Sequence, residues 1–252
     1  MKMTNNTILI TGGGSGIGRA LAEMFHAKGN KVIIAGRRQA LLDEVAHAND
    51  GIETIALDIS NSDSIEDVVA KLEETHPGLN TVIHNAGIMK PEEIGNNDRD
   101  ISRAIIETNL IGQINLNSAL LPLLKKQSEG TIMTVSSGLA FLPTATFPTY
   151  NATKAAIHSY TQSLRTQLAH TKLQVIELIP PYVQTELISP EQAHDPNAMP
   201  LKDFIEEVGS ILETQPDIKE VCVEKVMFQR TAEASGEYDA RYQQRNQAYI
   251  SE

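Results

Sequence analysis

The chain has 252 residues, 41% hydrophobic and 21% charged, enough for one large domain with a sizeable core. A net charge of −11 argues against nucleic acid, which asks for a basic patch; Glu186 to Glu252 alone holds 14 acidic and 6 basic residues, −8 of that total. One cysteine, Cys222, excludes an internal disulfide, no apolar run reaches a membrane span, and the first residues carry no signal-peptide core, so a cytoplasmic, soluble protein is expected.

Thr7 to Thr11 is a β-branched run that reads as a strand and ends in Gly12-Gly13-Gly14-Ser15-Gly16-Ile17-Gly18. Leu21, Met24 and Phe25 follow at helical spacing, Gly29-Asn30 breaks the helix, and Lys31 to Ala35 forms a second strand. Glycines between a strand and a helix let the backbone approach a pyrophosphate, and the helix start offers free N–H groups and a positive dipole end. This unit predicts a nucleotide site at Gly12, Gly14, Ser15, Gly16, Ile17 and Gly18.

The alternation continues. Leu41 to Ala48 is helical, Glu53 to Leu57 a strand ending at Asp58, and Ser64 to Glu74 a helix. Thr81 to His84 is a strand ending in Asn85-Ala86-Gly87. A long helical region from about Asp98 to Lys126 should bend near Gly112 and stop or kink at Pro122. Thr131 to Val135 is a strand before Ser136-Ser137-Gly138, Tyr150 to about His170 a helix, and Leu173 to Ile179 a strand ending in Pro180-Pro181. Six strands alternating with helices predict a single α/β domain, a Rossmann-like doubly wound parallel sheet with helices on both faces. Residues 1–185 form its cofactor-binding and catalytic core. Glu186 to Pro200 reads as a long loop that belongs to the substrate side. Helical patterns resume at Leu201 to Leu212 and Asp217 to Thr231, and the spaced tyrosines of Tyr238 to Tyr249 suggest a docking tail.

Tyr150 and Lys154 lie four apart on the predicted helix and so share a face. An ammonium beside a phenol favours the phenolate and should bring its pKa down towards a useful range. The pair alone is a weak signal; its neighbours decide.

Several motifs, agreeing in order and spacing over about residues 7 to 187, resemble the classical short-chain dehydrogenase/reductase family. Thr11-Gly12-x-x-x-Gly16-x-Gly18 is similar to its cofactor turn, and Asn85-Ala86-Gly87 to its fourth-strand motif. Asn109 falls where the family keeps a helix asparagine, and Ser137 lies thirteen residues before Tyr150-x-x-x-Lys154. The segment from Ser137 to Ser159, with Pro180-Pro181, is similar to a bacterial subgroup labelled as the oxidoreductase of the D-alanylation operon. The resemblance implies an NAD(P)H-dependent oxidoreductase interconverting a carbonyl and a secondary alcohol. In it Ser137 and Tyr150 bind the carbonyl oxygen, Tyr150 gives the proton, Lys154 holds the ribose and lowers the tyrosine pKa, and Asn109 positions a relay water. It also places Pro180, Val183 and Thr185 against the nicotinamide and phosphates, and implies a homo-oligomer, dimer or tetramer. Pro181 stands where the family has glycine, and no closing strand with the family's Val-Asp-Gly-Gly ending is visible.

Cofactor choice is decided after the second strand. Gly36-Arg37-Arg38 offers two guanidiniums, suited to a 2′-phosphate, so NADP(H) is favoured with NAD(H) possible. Asp58 with Ile59 is either an adenine contact or a helix N-cap. Leu139, Phe141, Pro143, Phe147, Tyr182 and Leu187 are expected to wall an apolar substrate pocket for an uncharged ketone or alcohol. The seven histidines show no metal-ligand spacing, so no metal is expected. Three other readings compete. The first, a non-catalytic dinucleotide sensor or scaffold, typically loses the tyrosine or lysine. The second, an extended sugar-nucleotide enzyme, needs a larger C-terminal domain than the residues after Thr185 provide. In the third, the acidic C-terminal segment is an interaction module and redox activity is secondary.

Overall fold

A computed structural model describes residues 1–96 and 99–250. Seven parallel strands form one sheet: β1 (Thr7–Thr11), β2 (Lys31–Gly36), β3 (Glu53–Ala56), β4 (Thr81–His84), β5 (Gly130–Val135), β6 (Leu173–Ile179) and β7 (Glu220–Cys222). Their order is β3-β2-β1-β4-β5-β6-β7. After β3 the chain returns past β1 to lay down β4, so β1 and β4 lie side by side, Ile8 opposite Thr81 and Ile10 opposite Ile83. That change of direction leaves a crevice at the carboxyl edge, where such sheets take their ligands.

Period-two alternation decides which residues meet which helices. Ile8 and Ile10 join a core with Leu21 and Phe25 of α1 (Gly16–Ala27), Leu42 of α2 (Gln39–Ala48) and Phe204 of α7 (Leu201–Thr214). Leu9 and Val82 point the other way, to Leu72 of α3 (Ser62–Thr75), Leu116 of α5 (Gly112–Lys125) and Leu164 of α6 (Pro148–Gln167). Both faces of the sheet are covered, which is why its strands read as apolar runs rather than alternating ones. Burying one such Leu, Ile or Phe contributes about 1.5–3 kcal/mol.

Two expectations need correction. The stretch Asp217 to Thr231 is not one helix: Glu220–Cys222 is the seventh strand, followed by a 3-10 turn and the four-residue α8 (Met227–Arg230). Val221 and Val223 are fully buried, and Lys219 O accepts from Glu177 N at 2.9 Å, so pairing with β6 overrides a helical pattern. Pro122 lies inside α5, which runs on to Lys125. Near Gly112, where a bend is expected, a π-turn over Glu107–Ile111 joins α4 (Arg99–Ile106) to α5. A Cβ on Gly112 would stand 2.2 Å from Ile59 O, so only glycine lets this corner close. The expected helix start near Asp98 lies outside the described residues.

The loop after Thr185 is pinned rather than loose. Met199 N donates to Tyr182 O and Gln184 N to Met199 O, both at 2.8 Å, while buried Gln192 donates to Val183 O at 2.8 Å and Thr185 Oγ1 at 3.1 Å. The tail forms α9 (Tyr238–Arg245) and α10 (Gln247–Ile250) and docks on its own chain. Among the described residues no helix is long and apolar enough to cross a membrane.

Candidate active site

The carboxyl edge of the sheet carries a cleft of about 520 Å³. One end is the turn between β1 and α1. Gly12 has φ +67°, a conformation that favours glycine, and a Cβ there would meet Asn85 Nδ2 at 2.9 Å. Thr11 Oγ1 accepts from the N–H groups of Asn85 and Ala86, both at 3.0 Å, and Asn85 Nδ2 donates back to Thr11 O at 3.0 Å. These bonds clip the turn after β1 to the turn after β4. Ser15 makes no side-chain capping bond at the start of α1, so the first amides of the helix are left for a ligand among Gly14, Ser15, Gly16 and Ile17. Gly18 does not line the cleft. A Cβ on it would stand 2.3 Å from Gly12 O, so its role is to let α1 pack against the turn.

Arg37 and Arg38 follow β2 at this end, and among the described residues neither is in an ion pair. Arg38 Nη2 donates to Ser15 Oγ at 3.3 Å, which brings a cation to the place where the turn itself supplies none. Asp58 does not cap α3. Its Oδ1 takes the Ser60 N–H at 3.0 Å and Ser60 hydroxyl at 2.6 Å, while Asn61 is the cap and accepts from Ser64 N at 3.2 Å. Asp58 and Ile59 line the cleft with Asn85, Ala86, Gly87, Pro180, Val183 and Thr185.

At the floor, α6 begins with Pro148, suited to a first helical position because its missing N–H is not needed there. Tyr150 and Lys154 are 6% and 4% exposed, with Lys154 Nζ 5.5 Å from the Tyr150 ring centre. Lys154 donates to Val135 O at 2.8 Å, and Ser137, just past the end of β5, lies close enough to the phenol to lower its pKa. The expected direction of the tyrosine shift is reversed in the protein by itself. Burial pushes Tyr150 up to about 12, only partly offset by the Ser137 hydroxyl. Burial also pulls Lys154 down to about 8, opposed by the charge of Glu177. Desolvation of two adjacent groups outweighs their attraction, because the ammonium is turned to a carbonyl rather than to the phenol oxygen.

Asn109 is brought near but does not line the cleft. Fully buried in the π-turn, its carboxamide accepts from Ile88 N and donates to Ile88 O, both at 2.8 Å, clamping the segment after Gly87. Of the residues expected to wall a substrate pocket, Leu139, Tyr182 and Leu187 line the cleft, whereas Phe141, Pro143 and Phe147 do not. Phe141 is held between His158, rings 4.6 Å apart, and the Arg230 guanidinium, 4.6 Å from its ring. Phe147 packs behind the wall with Met89, Ile105 and Leu139. The wall is completed by residues not anticipated: Met89, Lys90, Ile188, Gln192, Gln229 and Arg245.

Behind the floor is a second unanticipated group. Glu177 is fully buried on β6; it accepts from Ser136 Oγ at 2.5 Å and meets His158 Nδ1 at 2.8 Å. One sign was available, a lone charge within the apolar run Val175 to Ile179. His158, Glu177 and Glu220 have ligand atoms within 4.8 Å of one another, a cluster that histidine spacing did not reveal. Each is already paired, Glu220 with Arg230 through bonds of 2.8 and 3.2 Å.

The glycine cradle, the uncapped helix start and two guanidiniums that, among the described residues, are in no ion pair fit a dinucleotide. Residues 6–196 match the short chain dehydrogenase family. The chain is 42% identical over 189 residues to an uncharacterized oxidoreductase, DltE, of Bacillus subtilis, 74% of this chain and 75% of that protein. In fold it is similar to a 3-ketoacyl-(acyl-carrier-protein) reductase from Brucella melitensis complexed with NADH (TM-score 0.79, 26% identity, covering 89% of this chain and 100% of that one). It is also similar to a short chain dehydrogenase from Burkholderia cenocepacia in complex with NADP (TM-score 0.81, 23% identity, 96% and 99%). Family match, sheet order and cleft agree, and the chain belongs to the short chain dehydrogenases, as an oxidoreductase of that family.

Proposed function

We propose that this protein interconverts a ketone and a secondary alcohol with NADP(H) as the preferred cofactor. The observation that carries the reading is the meeting of Ser137, Tyr150 and Lys154 at the floor of a cleft whose other end is a dinucleotide cradle. A bound nicotinamide dinucleotide supplies or accepts the hydride. The glycine turn and the start of α1 hold its pyrophosphate, Arg37 and Arg38 its 2′-phosphate, and Lys154 its ribose. Ser137 holds the carbonyl oxygen. Tyr150, protonated at neutral pH by a wide margin, is suited to give its proton to that oxygen as it becomes an alkoxide. Asn109 acts at one remove, as a positioning residue that fixes Ile88 beside the floor.

The test is a panel of ketones and alcohols assayed with both cofactors. Oxidation of NADPH by ketones is expected; no turnover of either cofactor across the panel would favour a sensor or scaffold. Arg37→Ala should raise the KM for NADPH about tenfold, the loss of about 1.4 kcal/mol from one guanidinium–phosphate contact, and change that for NADH less than twofold. Equal changes would remove the argument for NADP(H).

A further inference from the structure

The cleft is also lined by a cation that, among the described residues, has no carboxylate paired with it. Arg245, the last residue of α9, lines the cleft with Tyr150, Ser137 and Ile188. Its Nε is sealed from solvent and has no hydrogen-bond partner, and among the described residues no carboxylate pairs with its guanidinium. An arginine left this way carries a desolvation cost that an acceptor would relieve. Burial pushes its pKa down, yet a guanidinium stays charged.

The tail is fastened so as to keep it there. Asn246, next in the chain and 2% exposed, accepts from Ala145 N at 2.7 Å and donates to Pro143 O at 3.2 Å. These bonds tie the end of α9 to the segment that leads into Tyr150. Charge points the same way. Five cations line the cleft, Arg37, Arg38, Lys90, Lys154 and Arg245, against two carboxylates, Asp58 and Glu186, in a chain of net charge −11. The two arginines after β2 and Lys154 are spoken for by the cofactor reading, and Glu186 adjoins Thr185 at the phosphate side. Arg245, with Lys90 beside Met89, is the surplus.

Resting on the ketone reading above, we infer that the substrate carries a carboxylate, and that Arg245 receives it in a fork while its carbonyl sits against Ser137 and Tyr150. The substrate class is thus an oxo acid or the matching hydroxy acid, not the uncharged ketone that the apolar wall alone suggests. A planar guanidinium matches a carboxylate with two parallel N–H···O bonds, so discrimination against a neutral isostere is strong.

The experiment compares a homologous series of methyl-ketone acids, beginning with acetoacetate, each beside its neutral amide. With NADPH, kcat/KM for the best acid should exceed that for its amide at least tenfold. Arg245→Gln should erase the preference by raising the KM for the acid ten- to a hundredfold, and Arg245→Lys should restore part of it. Amide turnover should fall far less than acid turnover in both variants. Amides reduced as well as acids, or an acid preference that survives Arg245→Gln, would overturn the inference while leaving the ketone reading intact. Should no member turn over, the ketone reading itself is in question. Calorimetric titration of the acids into the NADPH-loaded protein, with and without Arg245, then tests the carboxylate site alone: affinity at least tenfold above that of the amides supports it, and equal affinity refutes it.

Discussion

Replacing Tyr150 by phenylalanine is expected to lower kcat about a thousandfold and to leave the Kd for NADPH within twofold. The substitution deletes one oxygen from a side chain packed among Met89, Ile105 and Leu139, so the wall keeps its shape and the cradle at the other end is untouched. What is lost is the proton donor, a contribution of about a hundred- to ten-thousandfold in acid–base catalysis. The phenol's position at about 12 gives a second readout. In the reductive direction the phenol must be protonated, which it is throughout the neutral range, so the rate falls only where it ionises. In the oxidative direction it must accept a proton, so kcat/KM for an alcohol rises with pH through the alkaline range, and that rise should vanish with Tyr150. A variant that keeps a tenth of its turnover, or that no longer binds NADPH, would sink the assignment.

The second large effect is on stability. Glu177→Ala should cost about 3–5 kcal/mol, read as a fall in urea midpoint with unchanged slope. The substitution strands the Ser136 hydroxyl and His158 Nδ1 without their buried acceptor and opens a void beside β6. Glu177→Gln, which retains shape and one acceptor, should cost less than half as much. The same carboxylate raises the Lys154 pKa, so removing it lets the lysine fall below its present value of about 8. Any rate that depends on the charged lysine should then decline at a lower pH in Glu177→Gln than in the parent. A loss under 1 kcal/mol together with an unmoved pH profile would show that Glu177 neither holds nor tunes the site.

Much of this molecule was legible in its residues. The first six strands, the glycine turn and the Ser137, Tyr150 and Lys154 constellation all rest on local pattern: β-branched runs, glycine between strand and helix, one helical turn between two reactive groups. What was missed depends on partners far away in the chain. β7 is strand only because β6 offers Glu177 to Ile179 as an edge. The π-turn shows itself through the fit of Gly112 against Ile59, and Asp58 lost the capping role to Asn61, three residues on. Phe141 and Phe147 are apolar and near Ser137 and Tyr150 in sequence, yet Phe141 is held by His158 and Arg230 and Phe147 packs in the layer behind the cleft wall. Arg245 had no local signal at all, since nothing in a polar helix marks one arginine as facing inward.

The Asn246 clasp has a mechanical consequence. The floor of the cleft is built on the middle of the sheet, β4, β5 and β6, where opening a strand means unfolding the protein. The opposite wall hangs on a few bonds from a short terminal helix, whose release exposes little core. Amide exchange at Ala145 should therefore run through a local opening, far faster than exchange in β5, and Asn246→Ala should speed the first without moving the second. On the function and substrate class proposed above, the part that would perform the reaction is stiff and the part that would select the molecule is compliant. If Arg245 receives the substrate as proposed, changes in the tail would alter what is accepted at little cost to the fold, and selectivity could drift while the chemistry stays where it is.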